Sequence, residues 1–531
     1  MADSKTKQSE GNRASYDGFT SYFRVEPQKH IILPPFKDKK EIDVRYALIA
    51  PFAFAHIFWD PEEDELVYEV EEPQLSDDEK TLLKTIKIAL EERINISYVG
   101  AVKSGTVIAY LESNLQSILL ELGFRISKDS YLKLMYYIYR DFIGLDKIEP
   151  LMRDFFIEDI ECNGIQTPVY IVHRKYENIR TNIIFYNLRE ITDFVEKLSQ
   201  KCGRYVSYAK PLLDGTLPDG SRVNATYTGD ITTRGPTFTI RKFTKEPWTP
   251  VSLMEFNTAN AEIFAYLWLA IENKMNIMVI GETASGKTSF LNSILYFIPP
   301  EARINSIEDT REINLAHANW LPAVTRLGFG IPSASGQVYG EIELFDLLKE
   351  SFRQAPDYVI VGEIRGKEAA VLFQGMASGH PSFGTMHAGS IETLIERLRT
   401  PPISLPASLV NSLDIVCIMS HIKGKEKNIR RLVEVDEIIH VEEAGASKYN
   451  KLLVWNPVTD SFIIKEDSVV LQKISQRTGM SISAIKQELS NRAKLLRVLS
   501  MRKITDFKKF TSIIKKYYEI PEVVIKEYGL G

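Results

Sequence analysis

The stretch Gly281-Glu-Thr-Ala-Ser-Gly-Lys-Thr288 constrains the fold of this chain more than any other part of the sequence. It matches the pattern G-x-x-x-x-G-K-[ST] at every defined position. The apolar, β-rich run Asn276–Ile280 precedes it, and Ser289–Phe297, with apolar residues at helical spacing, follows it. A strand, a glycine loop and a helix in this order point several backbone N–H groups at one anion. The sequence therefore predicts a phosphate-binding loop.

Nucleotide phosphates are the anions that loops of this pattern bind, so ATP and Mg²⁺ are the expected ligands. Lys287 is predicted to reach the β- and γ-phosphates, and the Thr288 hydroxyl is predicted to bind Mg²⁺. The candidate nucleotide-binding residues are Gly281, Thr283, Ala284, Ser285, Gly286, Lys287, Thr288 and Ser289. The loop alone does not determine the process in which the nucleotide is used.

Composition and charge narrow the class of protein. With 531 residues, 44% of them hydrophobic and 25% charged, the chain has ordinary globular composition and enough length for several domains. Its net charge of −5 provides no overall basic field, so no nucleic acid is expected as a partner. Cys162, Cys202 and Cys417 lie far apart and form neither a disulfide framework nor a metal-binding pattern, which favours the cytoplasm.

Apolar patterns divide the first half of the chain into segments. Residues 1–16 are a polar tail that we expect to be disordered. Residues 17–157 are a lead-in with short strands followed by a helical region, whose first helix begins at the capping box Ser76–Glu79. Residues 158–243 predict an α+β domain, and 244–251 is a linker whose prolines disfavour helix.

From residue 252 to residue 531 the pattern predicts an α/β ATPase domain. Strands and helices alternate, as in a parallel sheet wrapped by helices. The predicted strands are 276–280, 303–307, 358–361, 382–386 and 413–418. A largely helical C-terminal extension is predicted from about residue 420. Its pattern is mixed at first and becomes helical from about residue 482.

Acidic residues follow two of these strands, at the sheet edge where open α/β sheets bind their ligands. Glu308 and Asp309 follow the strand over 303–307, although a charged loop before a helix has the same pattern. Glu363 follows the strand over 358–361, and Asp357 precedes that strand as a cap. Carboxylates in these places are able to bind Mg²⁺ and orient a water molecule.

Two histidines flank the strand over 382–386. His387 comes directly after it, where an imidazole is able to hydrogen-bond a γ-phosphate, and His380 is a weaker candidate before it. A lone histidine in such a place is more often a structural residue, so the pattern alone leaves both interpretations open.

Together these stretches resemble the motifs of one family, the secretion-type hexameric motor ATPases of type II and type IV secretion, type IV pili and archaella. Ile307–Glu312 resembles the Asp box of that family, Val359–Arg365 its Walker B box and Gly379–Ala388 its His box. Further matching stretches lie upstream, and they resemble most the archaeal branch, which includes the archaellum motor ATPase: Ile157–Gly164, Leu217–Arg222 and Phe238–Phe243. The resemblance implies an α/β fold, with a RecA-like P-loop NTPase core on a parallel sheet, preceded by a helical region and a small α+β, PAS-like N-terminal domain.

The resemblance also implies roles for the residues at matching positions. Glu363 is expected to hold Mg²⁺ through water, and Glu308 to orient the attacking water, with Asp309 beside it. The resemblance does not decide which of these acids is the general base. His387 is expected to read the γ-phosphate. The implied metal-binding residues are Thr288, Glu363 and Asp309, and no metal other than Mg²⁺ is expected.

Two arginines of the predicted N-terminal domain complete the implied site. Arg222 and Arg241 match positions that the family closes over the nucleotide as arginine fingers, which accelerate phosphoryl transfer. Surface cations on a strand have the same pattern, and that alternative stays open for both residues.

The implied function is that of a homohexameric ATP hydrolase. It couples hydrolysis to assembly or rotation of a type IV pilus-like filament, an archaellum or an archaeal pilus, or to secretion. The implied partners are a polytopic membrane platform protein and accessory motor proteins, which place the chain at the inner face of the cell membrane. Two other functions stay open: a nucleic-acid-translocating P-loop motor and a nucleotide-dependent scaffold.

Overall fold

The computed structural model describes most of the chain: residues 23–26, 31, 33–34, 38–93, 104–243, 246–326, 328, 338–423, 428–443, 446–464 and 467–529. The tail over 1–16, which we expect to be disordered, lies outside these residues. The chain divides into two compact units, Met1–Phe243 and Thr244–Gly531, and each is described by itself.

The first unit is built on one nine-stranded sheet. Its strands are β1 (Asp43–Ile49), β2 (Ala53–Asp60), β3 (Glu65–Glu71), β4 (Ile157–Cys162), β5 (Pro168–His173), β6 (Glu177–Ile184), β7 (Leu212–Thr216), β8 (Arg222–Thr226) and β9 (Thr237–Arg241). Their order across the sheet is β1-β2-β3-β6-β5-β4-β9-β8-β7. Its helices are α1 (Asp77–Arg93), α2 (Ser104–Glu121), α3 (Lys128–Ile138), α4 (Glu149–Arg153) and α5 (Leu188–Lys201), with shorter helical turns at Lys39–Glu41, Tyr139–Ile143 and Asp146–Ile148.

The boundary expected at 157/158 does not separate two sheets. β3, from the lead-in, pairs in parallel with β6, from the α+β segment, with Tyr68 opposite Thr181. Both segments also contribute to one apolar core, for example through Tyr68 and Phe238, which are fully buried. Pairing between segments more than a hundred residues apart leaves no local sequence pattern. The expected boundary therefore falls inside one compact unit.

The capping box at the start of α1 is confirmed. The Ser76 N–H donates to Glu79 Oε2 at 2.9 Å, and the Glu79 N–H donates to Ser76 Oγ at 3.2 Å. Reciprocal bonds of this kind satisfy backbone donors that the first helical turn leaves without an intrahelical partner. The local sequence thus fixes where this helix begins.

The second unit is built on another nine-stranded sheet. Its strands are β10 (Ile277–Gly281), β11 (Ile304–Glu308), β12 (Trp320–Val324), β13 (Tyr358–Val361), β14 (Ser382–His387), β15 (Ile415–Lys423), β16 (Asn428–Val441), β17 (Ser447–Asn456) and β18 (Ser461–Ile464). The order is β12-β11-β13-β14-β10-β15-β16-β17-β18. Pairs from β12 to β15 are parallel, and pairs from β15 to β18 are antiparallel.

Helices cover this second sheet. They are α6 (Pro250–Glu255), α7 (Ala261–Glu272), α8 (Lys287–Leu295), α9 (Leu344–Ser351), α10 (Glu368–Ala377), α11 (Ile391–Arg399), α12 (Ala407–Val410), α13 (Val469–Thr478), α14 (Ile482–Met501), α15 (Phe507–Glu519) and α16 (Pro521–Glu527), with a 3₁₀ turn at Phe352–Gln354. The C-terminal helices contact α7, where the Trp268 indole N–H donates to the Tyr518 hydroxyl at 2.9 Å. They are therefore an integral layer of this unit. Each helix that the structure describes is too short or too polar to pass through a lipid bilayer.

The prediction of an α/β, RecA-like core preceded by an α+β region is confirmed. The five strands predicted for the core correspond to β10, β11, β13, β14 and β15. The extension from about 420 differs, because β16, β17 and β18 continue the sheet as far as Ile464 and the first helix begins at Val469. Two register shifts in the β16–β17 pairing, which leave Leu452 of β17 and Ile439 of β16 without a partner in the register, interrupt the two-residue period that identifies a strand in sequence.

Parallel pairing determines where the candidate residues lie. β10 is central and completely buried, which explains its continuous apolar run. The carboxyl ends of β10, β11, β13 and β14 meet at one edge of the sheet. Gly281, Glu308, Glu363 and His387 stand at or directly after those ends.

Candidate functional site

The loop after β10 has the backbone geometry that its glycines allow. Gly281 has φ 153°, and a Cβ placed there would lie 2.3 Å from the Met419 carbonyl oxygen on β15. Gly286, with φ 89°, is the N-cap of α8. Ala284 also has positive φ, 60°, in the left-handed region that residues other than glycine adopt uncommonly. The loop thus follows a constrained path into the helix N-terminus, which is suited to binding an anion.

Lys287 opens α8 and is buried. Its Nζ donates to the Glu282 carbonyl oxygen at 2.8 Å and lies 3.4 Å from His387 Nδ1. Burial lowers the pKa of Lys287, while the nearby Glu363 carboxylate acts in the opposite direction. The ammonium group therefore lies at the loop, next to the end of β14.

Glu308 ends β11 with its side chain only 2% exposed. Its Oε1 accepts backbone N–H bonds from Glu312 at 2.8 Å and Ile313 at 2.9 Å, while its buried Oε2 has no hydrogen-bond partner. Burial raises the pKa of Glu308 to about 8, although the two N–H bonds oppose the shift. A Cβ on Gly362 would lie 2.9 Å from Glu308 Cγ, so glycine allows this carboxyl to pack against the Walker B turn.

Glu363 lies between two basic side chains. Its Oε2 pairs with the Arg365 guanidinium, and its Oε1 lies 2.9 Å from His387 Nε2 without the alignment of a hydrogen bond. Burial favours the neutral acid, but Arg365, His387 and Lys287 outweigh it and lower the pKa of Glu363. Glu363 is therefore held as a carboxylate. Burial and the Lys287 charge lower the pKa of His387, which favours a neutral ring.

These contacts form one continuous chain of charged and polar groups, named here the site chain: Lys287, His387, Glu363, Arg365 and Asp309. Its last link is long, with Arg365 Nη1 3.9 Å from Asp309 Oδ2. The site chain joins the phosphate loop to the Asp box across β14, β13 and β11. The structure thus brings together residues from four separate stretches of the sequence.

Two contributors to the site were missed by the sequence reasoning. Arg365 lies in the stretch that resembles Walker B, and no role follows for it from that resemblance, although its position two residues after Glu363 could have suggested an ion pair. Arg430, on β16, donates from Nε to the Ala284 carbonyl oxygen at 3.0 Å. Its contact with the loop joins residues 146 positions apart, which no local pattern indicates.

His380 does not join the site, which corrects the weaker of the two histidine predictions. It precedes β14, whereas Gly281 pairs with His387 at the other end of that strand. Its ring packs edge-on against Phe352, with centroids 5.1 Å apart. The position of Asp357 agrees with a cap, because its Oδ2 accepts the Arg303 N–H at 2.9 Å before β11 begins.

Arg222 and Arg241 lie side by side in the first unit. They are directly opposite each other on the antiparallel strands β8 and β9. Arg222 Nη2 lies 3.3 Å from Asp214 Oδ2, and Arg241 Nε lies 3.2 Å from Asp159 Oδ1. The Arg241 side chain is 66% exposed and the Arg222 side chain is 40% exposed, so both are partly accessible to an anion.

Within the described ranges, no three His, Cys, Asp or Glu side chains are grouped so that they could hold a metal ion by themselves. Mg²⁺ commonly takes only one or two protein carboxylates and completes its coordination with phosphate oxygens and water. Glu363 and Asp309, with the hydroxyl of the half-buried Thr288, are a donor set of that kind.

The sheet order, the glycine loop and the site chain define a protein with a RecA-like α/β core. The family model described as "Type II/IV secretion system protein" matches residues 166–503. The chain therefore belongs to the type II/IV secretion system protein family, which confirms the resemblance seen in its motifs.

Curated proteins and solved structures are similar to parts of this chain. Uncharacterized protein MJ0900 of Methanocaldococcus jannaschii is 39% identical over 392 residues, which cover 73% of this chain and 70% of that protein. Type IV secretion system protein PtlH of Bordetella pertussis is 29% identical over 267 residues, covering 44% of this chain and 77% of PtlH. The solved structure of the Legionella pneumophila ATPase DotB matches at 14% identity with a TM-score of 0.40, covering 71% of this chain and 95% of DotB.

Proposed function

We propose that this chain binds ATP with Mg²⁺ and hydrolyses it as a secretion-type motor. The observation that carries the proposal is the site chain: it holds a lysine, a histidine and two carboxylates at the carboxyl edge of the sheet, beside the phosphate loop. Phosphoryl transfer needs positioning and charge compensation rather than covalent catalysis by the protein. These groups are of the types that supply both.

Binding of the nucleotide is assigned to the loop and α8. Backbone N–H groups of the residues from Gly281 to Ser289 are proposed to cradle the phosphates, with Lys287 neutralising charge at the β- and γ-positions. Thr288, Glu363 and Asp309 are proposed to hold Mg²⁺, which supplies charge neutralisation to the phosphates when it is bound.

Glu308 is proposed to orient and deprotonate the attacking water. Its unpartnered Oε2 supports this role, since a buried carboxyl oxygen without a partner is able to accept a hydrogen bond. A pKa near 8 brings its proton affinity close to that of an efficient general base at neutral pH. His387, which lies between Lys287 and Glu363, is proposed to sense the γ-phosphate.

Arg222 and Arg241 are proposed to act as arginine fingers in a homohexamer. Their exposure and their common position on β8 and β9 support a joint role toward an anion. A guanidinium group supplied to the γ-phosphate accelerates hydrolysis by several orders of magnitude in enzymes that use one.

We further propose that hydrolysis drives a filament or secretion machine at the membrane. Membership of the type II/IV secretion system protein family and the similarity to the type IV secretion system protein PtlH support this process. A polytopic platform protein and accessory motor proteins would receive the force. They would hold the chain in the cytoplasm at the inner face of the cell membrane, as an archaellum, a pilus or a secretion system requires.

A nucleic-acid motor is the second candidate, and the net charge of −5 argues against it. A scaffold without catalysis is disfavoured because the residues of the site chain are all present. The test of the proposed function is phosphate release by the full chain with ATP, with and without Mg²⁺. Release that depends on Mg²⁺ and is absent in Lys287→Ala supports it, and equal rates in the two proteins contradict it.

A further inference from the structure

Arg365 pairs with both carboxylates that are proposed to serve Mg²⁺. Its Nη2 contacts Glu363 Oε2, and its Nη1 lies 3.9 Å from Asp309 Oδ2. A single guanidinium group thus bridges Walker B to the Asp box. It places positive charge beside the same two carboxylates that would stabilise a bound metal ion.

The backbone around Arg365 is held by hydrogen bonds, whereas its side chain is largely exposed. The N–H groups of Arg365 and Gly366 donate to Glu368 Oε1 at 2.6 and 2.7 Å, and the Ile364 N–H donates to the Thr385 carbonyl oxygen at 2.9 Å. The Arg365 side chain is 64% exposed. Moving the guanidinium away from the carboxylates therefore requires only side-chain rotation into water.

We infer that Arg365 is a counter-cation that Mg²⁺ must displace from Glu363 and Asp309 when the nucleotide binds. The inference rests on the proposed function of the site. Loading Mg²⁺ then becomes an exchange of one cation for another rather than simple addition. Without nucleotide, the guanidinium offsets the repulsion between the two carboxylates and keeps the site from presenting bare negative charge to an incoming phosphate.

The exchange predicts two effects of opposite sign for Arg365→Gln. Without metal, the uncompensated carboxylates repel the phosphates, so nucleotide affinity falls. With metal, no cation has to leave, so a lower Mg²⁺ concentration suffices. Exposed ion pairs are weak, and the expected shift in the half-saturating Mg²⁺ concentration is about two- to fivefold.

Lys367 provides a matched control two residues along the chain. It is similarly exposed and pairs with Glu343, outside the site chain. Lys367→Gln removes the same charge without touching Glu363 or Asp309, and it should leave both measurements unchanged. Arg365→Lys keeps the charge but loses the fork of donors, so its Mg²⁺ requirement should fall between those of wild type and Arg365→Gln.

The experiment measures binding of a fluorescent ADP analogue to the full chain, first in a chelator and then across a Mg²⁺ titration. Weaker metal-free binding together with a lower Mg²⁺ requirement in Arg365→Gln supports the exchange. An unchanged or higher Mg²⁺ requirement, or the same shift in Lys367→Gln, overturns it. If wild type fails to hydrolyse ATP while these shifts appear, the proposed function fails and the exchange stands.

Discussion

His387 Nε2 lies 2.9 Å from Glu363 Oε1, although the two residues come from different strand ends and are 24 positions apart. On its other side the same imidazole approaches Lys287, with Nδ1 3.4 Å from Nζ. The ring therefore links Lys287, at the end of the glycine loop, to Glu363. If the loop binds phosphate as proposed, a change in its occupancy has a direct route to Glu363.

His387→Gln should slow ATP hydrolysis about tenfold or more while leaving nucleotide affinity nearly unchanged. The reason is that groups aimed at charge developing in the transition state affect turnover more than ground-state binding. Steady-state phosphate release and ADP-analogue binding on the same preparations check this. His380→Gln, at the opposite end of β14, is the control and should retain wild-type turnover.

The activity should rise with pH through the pKa of Glu308. Because burial raises that pKa to about 8, the carboxyl is mainly protonated at pH 7 and becomes the basic carboxylate as pH increases. The pH dependence of kcat/KM reports groups of the free enzyme, and it should increase up to about pH 8 and then level off. Glu308→Gln should turn over far more slowly and lose this inflection. A flat wild-type profile between pH 6 and pH 9 would exclude Glu308 as the base.

Arg222→Ala should lower ATP turnover by about a hundredfold or more with little loss of nucleotide affinity. Arg189→Ala is a matched control in the same unit, because Arg189 is exposed and pairs with Asp193 on its own helix. If the arginine acts across subunits, mixing Arg222→Ala chains with Lys287→Ala chains should recover activity, since mixed interfaces combine both intact residues. An equal fall in affinity and turnover for Arg222→Ala would indicate a ligand or a folding role instead.

Gly281→Ala should destabilise the loop and impair nucleotide binding. Its new Cβ would meet the Met419 carbonyl oxygen at 2.3 Å, and backbone oxygens cannot move aside as flexible side chains do. The expected loss is about 1–3 kcal/mol in the free energy of unfolding, measured by denaturant titration. Gly389→Ala is the control, because nothing lies within 4 Å of a Cβ placed there. A denaturant midpoint for Gly281→Ala equal to that of wild type would contradict the predicted loss of stability.

The local parts of the fold and the site followed from the sequence. β13 was predicted at the bounds that the structure shows, and the loop, Glu308, Glu363 and His387 were identified from short local patterns. Glycine spacing, apolar runs and a capping box are local signals with local physical causes. These signals can be recognised in the sequence without knowledge of the tertiary structure.

The contacts between distant segments of the chain could not be predicted from the sequence. The β3–β6 pairing that joins the lead-in to the α+β segment, and the contact of Arg430 with Ala284, depend on chain segments far apart in sequence. The register shifts between β16 and β17 interrupt the alternation that would have identified these strands in the sequence. The prediction for His380 was wrong because this residue precedes β14, whereas the site lies at the edge of the sheet where β14 ends. A local sequence pattern does not distinguish these two edges.

Comparison of Glu363→Ala with Lys287→Ala tests most directly whether the site chain is a hydrolytic centre. Nucleotide binding and phosphate release are measured on both full-length variants and on wild type. We expect Lys287→Ala to lose nucleotide binding, and Glu363→Ala to bind nucleotide yet release no phosphate above background. Phosphate release at comparable rates by wild type and both variants would contradict the claim.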